Sequence, residues 1–248
     1  MDFLQFREPF NAWSHAAWLA LSVPATVLLL RRSNDNWSKR LSLLIFGMSI
    51  AACSLASTLF HGVQGSPDRI DLLDRVDHVG IHLLIAGTYT PLAWNLLRGR
   101  WRTGTLTAVW TTTTLSSVLL MADIRLPRPL ETCEYLALGW GALLCYVEIA
   151  RVLPHRTLRP LVIGGVFYSV GAVLNLLRWP EVGPVGLGHH EVFHLWVIAG
   201  SMTHVWFMMT AVVPFAWAAH ARQQADPAYV RLRGATSKME RERAGQTR

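Results

Sequence analysis

Apolar residues run in long blocks broken by short clusters of charge, with neither the alternation of a half-buried strand nor the narrow apolar stripe of a soluble helix. Seven blocks are evident: Asn11 to Leu30, Leu41 to Val63, Val76 to Leu97, Thr105 to Ala122, Cys133 to Val152, Leu161 to Leu177 and His190 to Ala219. Most are about 20 residues long, enough at ~1.5 Å per helical residue to cross a ~30 Å hydrocarbon core. Helix is then the required backbone, because an unpaired amide in lipid costs several kcal/mol. The pattern predicts an all-α, polytopic membrane protein. Its expected organisation is a seven-transmembrane-helix bundle over residues 1–220 and a basic, partly disordered tail over 221–248. The fourth block is the most polar, since it contains Thr111 to Thr114, but threonine hydroxyls in such helices bond back to carbonyls one turn earlier. Pro24, Pro91 and Pro214 fall inside blocks and predict kinks. The first block follows an acid-containing segment and ends in Arg31 and Arg32 without a small-residue cleavage site, so it reads as a span and not a signal peptide.

Composition agrees with this class: 52% of residues are apolar and only 16% charged. A net charge of +7 suits a nucleic-acid partner in a soluble protein, but here Lys and Arg sit at block ends and in the tail. The expected partners are therefore membrane lipids, with no nucleic acid. With the amino terminus outside, the outer face keeps only Arg7, Arg69, Arg75, Arg125, Arg128 and Arg178 of 23 basic side chains. That bias predicts a plasma-membrane protein with an outside amino terminus and a cytoplasmic carboxyl terminus. Cys53, Cys133 and Cys145 share no CxxC spacing and read as small core residues. Nothing in the pattern points to a particular oligomeric state.

Histidine placement adds chemistry to the picture. His61 closes the second block, Asp77 opens the third, and His190 and His194 open the seventh, so alternating spans bring all four to one membrane face. His190 and His194 are four apart and project from one side of a helix. Neutral imidazole is a good zinc ligand, and three protein ligands with a water in the fourth position is a common catalytic arrangement. His61 supplies the third ligand. Asp77 can then accept a proton from the activated water, or alternatively form an ion pair with Arg75 or cap its helix. Ser57, one turn before His61, either orients a water or substrate oxygen or bonds to its own backbone. His78 and His82 form a second four-residue pair, expected to pack or to support the site from outside. His204 lies roughly 15 Å beyond His194 along a straight helix, too far to share its ion, and predicts a polar contact deeper in the bundle. His15 and His189 are expected to be hydrogen-bonding or interfacial residues.

Five stretches stand in a distinctive order. Glu8, Asn11, Ser14 and His15 form E-x-x-N-x-x-S-H; Ser57 and His61 form S-x-x-x-H; DHVGIHLLIAGTYTP runs from Asp77 to Pro91. GGVFYSVGAVLN runs from Gly164 to Asn175 and HEVFHLWVIAGSMTH from His190 to His204. In this order the chain resembles the hemolysin III branch of the progestin and adipoQ receptor family, which is related to alkaline ceramidases. The resemblance implies a seven-helix bundle, zinc on His61, His190 and His194, Asp77 and Ser57 beside the metal, and hydrolysis of a lipid amide. It also implies a metal on the cytoplasmic side, as in adiponectin receptors, whereas the charge bias places it outside. Two functions remain in view: a zinc-dependent membrane hydrolase acting on a lipid amide or ester, and a non-enzymatic receptor or hemolysin-like protein with a structural zinc clamping the second and seventh spans.

Overall fold

The computed structural model describes residues 6–33, 36–181 and 187–225. All regular structure among the described residues is helical. Helix α1 covers Pro9–Arg32, α2 Trp37–Gly62, α3 Pro67–Leu96 and α4 Gly99–Met121. Then come α5 (Arg128–Trp140), α6 (Ala142–Ala150), α7 (His155–Leu176) and α8 (His189–Phe207), the last continuing as a π turn over Met208–Val212. These belong to one unit that ends at Pro214; a second unit begins at Phe215 and includes α9 (Trp217–Ala225). Local sequence sets several helix starts. Asn36 caps α2 by accepting from the Lys39 amide at 3.1 Å, and Pro9, Pro67 and Pro129 occupy first turns, where a missing N–H is harmless.

Five helical stretches are long and apolar enough to cross a bilayer: α1, α2, α5 with α6, α7, and α8 with its π turn. The chain is an all-α polytopic membrane protein. Burial is reversed accordingly, with Leu21, Leu55, Leu144 and Trp206 exposed on the outside and Asn11, His15, Ser57 and His82 buried within. Helices α3 and α4 reach 30 and 23 residues but are more polar, since α3 opens on Asp68, Asp71, Asp74 and Asp77 and α4 carries the threonine run.

Helices α2 and α3 pack antiparallel. Along α2 and α3, Asp77 lies near His61, Gly80 against Cys53 and Gly87 against Ser49, and Asn95 donates to Ser42. Gly87 is required there, because a Cβ would overlap the Ser49 side chain. Helices α1 and α8 instead run parallel, as Asn11, His15 and Trp18 meet Glu191, His194 and Ser201 in turn. The starts of α1, α3, α5 and α8 therefore share a face with the ends of α2, α4 and α7.

Three boundaries differ from the block pattern, each for a local reason. Helix α3 starts at Pro67 and not Val76, because its first turns are amphipathic and pair outside the apolar zone, Arg75 with Asp71 and Arg125 with Asp74. The fifth block is interrupted at Gly141, where Tyr89 donates its hydroxyl to the carbonyls of Leu138 and Gly139 that the break releases. The seventh block ends short of Ala219. Pro214 has no N–H to continue the helix, the preceding turn widens to π geometry, and Lys39 Nζ donates to Val213 O at 2.9 Å. Of the expected tail, residues 221–225 are helical and 226–248 lie outside the described residues. Cys53 and Cys145 are buried, whereas Cys133 is exposed on α5 and not in the core; all three are free thiols.

Candidate metal centre

Helix α1 presents a polar stripe on an otherwise apolar cylinder. Glu8 at its N-cap, then Asn11, His15 and Trp18, recur at intervals of three and four residues and turn towards α2 and α8. Opposite this stripe stand His61, near the end of α2, and His190 and His194, near the start of α8. One ring nitrogen from each of these three lies within 4.8 Å of the others, a group that can hold a metal ion. The Nε2 atoms of His190 and His194 are 3.1 Å apart.

Each imidazole is held from behind. His61 Nδ1 bonds to Glu8 Oε2 at 2.6 Å, His194 Nδ1 lies 2.7 Å from His15 Nε2, and His190 Nδ1 faces Asn175 Oδ1 at 3.4 Å. With a proton on each Nδ1, donated outward, every Nε2 is left as a bare lone pair turned to the common centre. His61 Nε2 is buried with no hydrogen-bond partner, a costly condition in an apolar interior that a cation relieves. The hydrogen bond from His61 outweighs partial burial at Glu8 and holds its carboxyl down at about 2, so Glu8 is ionised at neutral pH. A carboxylate behind a ligating imidazole typically tunes metal affinity 10- to 100-fold. For a metal ion held by these rings, Glu8→Gln is accordingly expected to weaken binding by about that factor, measured by competition with a chromophoric chelator; unchanged affinity would remove Glu8 from the centre.

Asp77 and Ser57 reach the same place. Asp77 Oδ2 is 3.9 Å from His61 Nε2, beyond a hydrogen bond, so the carboxylate stands beside the triad. Ser57 is buried with its hydroxyl next to Asp77. Arg75 turns away from Asp77 and pairs with Asp71 at 3.3 Å. His61, His190 and Asp77 open into a cavity of about 610 Å³ whose wall is completed by residues of α3, α5, α7 and α8. Further into the bundle lies an apolar chamber of about 150 Å³, walled by side chains such as Leu84, Ile85, Leu136 and Val197. Ile81, Tyr135, Ala172 and Phe193 line both spaces and form a collar where they meet.

The remaining histidines divide as their spacing suggests, with one addition. His204 Nε2 lies 3.3 Å from Leu161 O, a contact deep in the bundle. His15 supports His194, and His189 lines the larger cavity. His78 and His82 have partners that sequence reasoning missed: Glu131 at 3.6 Å and Glu134 at 3.4 Å, which tie α3 to α5. Glu8 and Asn175 were also without an assigned role, although the three-and-four spacing of polar residues on α1 is the signal that marks its inward face.

A family model described as haemolysin-III related matches residues 3–205, a stretch that contains every residue of the centre. The chain belongs to the haemolysin-III-related family. A hemolysin-3 homolog of Bacillus subtilis is 31% identical over 198 residues, covering 79% of this chain and 89% of that protein. Hemolysin-3 of Bacillus cereus is 30% identical over 212 residues, covering 85% and 94%. The ADIPOR-like receptor IZH2 of Saccharomyces cerevisiae is 26% identical over 234 residues, covering 82% and 71%. These similarities place the chain in the hemolysin III branch of the progestin and adipoQ receptor family, in agreement with its motifs. For a haemolysin-III-related chain, Glu8, His15, His61, Asn175, His190 and His194 are thus joined through side chains drawn from four separate helices or their caps.

Proposed function

We propose that this membrane protein is a zinc-dependent hydrolase acting on a lipid amide or ester. The observation that carries the reading is the convergence of three imidazole nitrogens beside a carboxylate, at a cavity that shares four wall residues with an apolar chamber. Three neutral imidazoles match zinc in ligand type and leave a coordination position free. Bound there, zinc supplies Lewis acidity towards a carbonyl and lowers the pKa of water. His61, His190 and His194 hold it, while Glu8, His15 and Asn175 fix the ring orientations. Asp77 accepts the proton of the attacking water and returns it to the leaving amine or alcohol. Ser57, whose buried hydroxyl has no hydrogen-bond partner among the described residues, helps to place the water or the oxyanion. An acyl chain occupies the apolar chamber, and the collar sets the scissile carbonyl at the level of the triad.

We read α3 and α4 as membrane crossings as well, making seven. Support comes from packing: α3 lies along α2 from Asp77 to Asn95, and α4 contacts α3 at Trp110 and α5 at Ser116. Charge bias then favours an outside amino terminus and centre, and a cytoplasmic carboxyl terminus, in the plasma membrane.

The test is fatty-acid release by the purified, zinc-loaded protein from ceramides and acyl esters of graded chain length. Turnover is expected with at least one amide or ester, abolished by chelation and restored by zinc. A zinc-bound protein inert towards the whole panel would instead support a structural clamp between α2 and α8, the role suited to the hemolysin names of the bacterial relatives.

A further inference from the structure

The proposed reading leaves the headgroup of the lipid unassigned, and the rim of the larger cavity bears on it. Four arginines line that cavity: Arg75, Arg125, Arg128 and Arg178. Two are committed. Arg125 is bonded to Asp71, Asp74 and Asp123, and Arg75 to Asp71 and the Met121 carbonyl. The acids of the same wall are also engaged, Glu8 by His61 and Arg7, and Glu131 by Tyr135 and His78. Arg128 and Arg178 are left, exposed at the start of α5 and just past the end of α7, with no ion pair or side-chain hydrogen bond among the described residues.

Backbone conformation sharpens the point at Arg178. It adopts φ of +52°, the left-handed region where glycine or asparagine is the ordinary residue at a helix end. It lines the cavity onto which His61, His190 and Asp77 open. Asp77 keeps its carboxylate beside His61, whereas Arg128 and Arg178 put two free guanidinium groups on the cavity wall, which attract an anion locally. Guanidinium is also the side chain best shaped for the oxygens of a phosphate.

We propose that Arg128 and Arg178 bind the phosphate of a lipid whose acyl chain enters the apolar chamber, making the preferred ligand of this site a phosphate-bearing lipid. The proposal rests on the hydrolase reading for the chemistry at the triad, but binding is measurable without turnover. Affinity of the full-length, zinc-loaded protein in detergent is compared for two probes of equal chain length, a monoacylglycerol and its phosphate monoester. The phosphate ester is expected to bind roughly tenfold more tightly. The double variant Arg128→Gln/Arg178→Gln should lose that preference, while affinity for the uncharged probe and zinc content stay the same. Equal affinity of the unsubstituted protein for the two probes would overturn the proposal, as would a preference that survives the double variant. Inorganic phosphate separates the sources: weak competition at millimolar concentration supports a lipid-borne phosphate, whereas binding as tight as that of the ester would overturn the lipid assignment. Absence of hydrolysis with the binding preference intact would count against the hydrolase reading alone.

Discussion

Asp77→Asn is expected to lower lipid amide or ester hydrolysis by about 10²- to 10⁴-fold while one zinc per chain stays bound. Asparagine keeps the shape of the side chain but cannot take a proton from water. Because Asp77 Oδ2 stands 3.9 Å from His61 Nε2, and the His61 ring is fixed through Nδ1 by Glu8, loss of the carboxylate leaves the imidazole set in place. Paired measurements of fatty-acid release and metal content check this. Wild-type turnover in Asp77→Asn would remove Asp77 from the chemistry, and loss of zinc would make it a ligand and not a base.

Helix packing gives the second large effect. A Cβ at position 87 would overlap both Oγ and Cβ of Ser49, so no rotation of the serine relieves it, and α2 and α3 must separate. Gly87→Ala should destabilise the protein by about 1–3 kcal/mol, the usual range for overpacking a close contact. Since α2 carries His61 and α3 carries Asp77, hydrolysis should fall with it. Adding Ser49→Gly leaves the carbonyl of Ile45, at 3.5 Å, as the next contact, which is ordinary van der Waals distance. The double variant is expected to regain most of the lost stability in thermal unfolding in detergent. A fully stable single variant, or a double variant no better than the single, would show that α2 and α3 are not in this contact.

These two residues also illustrate what is legible in the chain. Helical periodicity and block length are local properties, so the apolar crossings and the shared depth of His61, Asp77, His190 and His194 follow from spacing alone. Contacts between helices are not local. The ring of Glu8 behind His61, His15 behind His194 and Asn175 behind His190 joins residues up to 179 positions apart, and it closes only because α1 packs on both α2 and α8 while α7 packs on α8. Boundaries set by tertiary compensation were likewise hidden. The break at Gly141 is tolerated because Tyr89, from another helix, satisfies the freed carbonyls, and the end of the last span is capped by Lys39 from α2. The pairing of His78 and His82 with Glu131 and Glu134 needed two spacings on different helices to be read together: four residues on α3 and three on α5.

The most direct measurement is zinc stoichiometry of the detergent-extracted protein by mass spectrometry, with X-ray absorption at the zinc edge, for the natural sequence and for His61→Ala and His194→Ala. One zinc per chain with three imidazole nitrogens at ~2.0–2.1 Å is expected in the first, and a fall to background in both variants. Undiminished zinc in either variant, or sulfur in the coordination shell, would contradict a centre built on His61, His190 and His194.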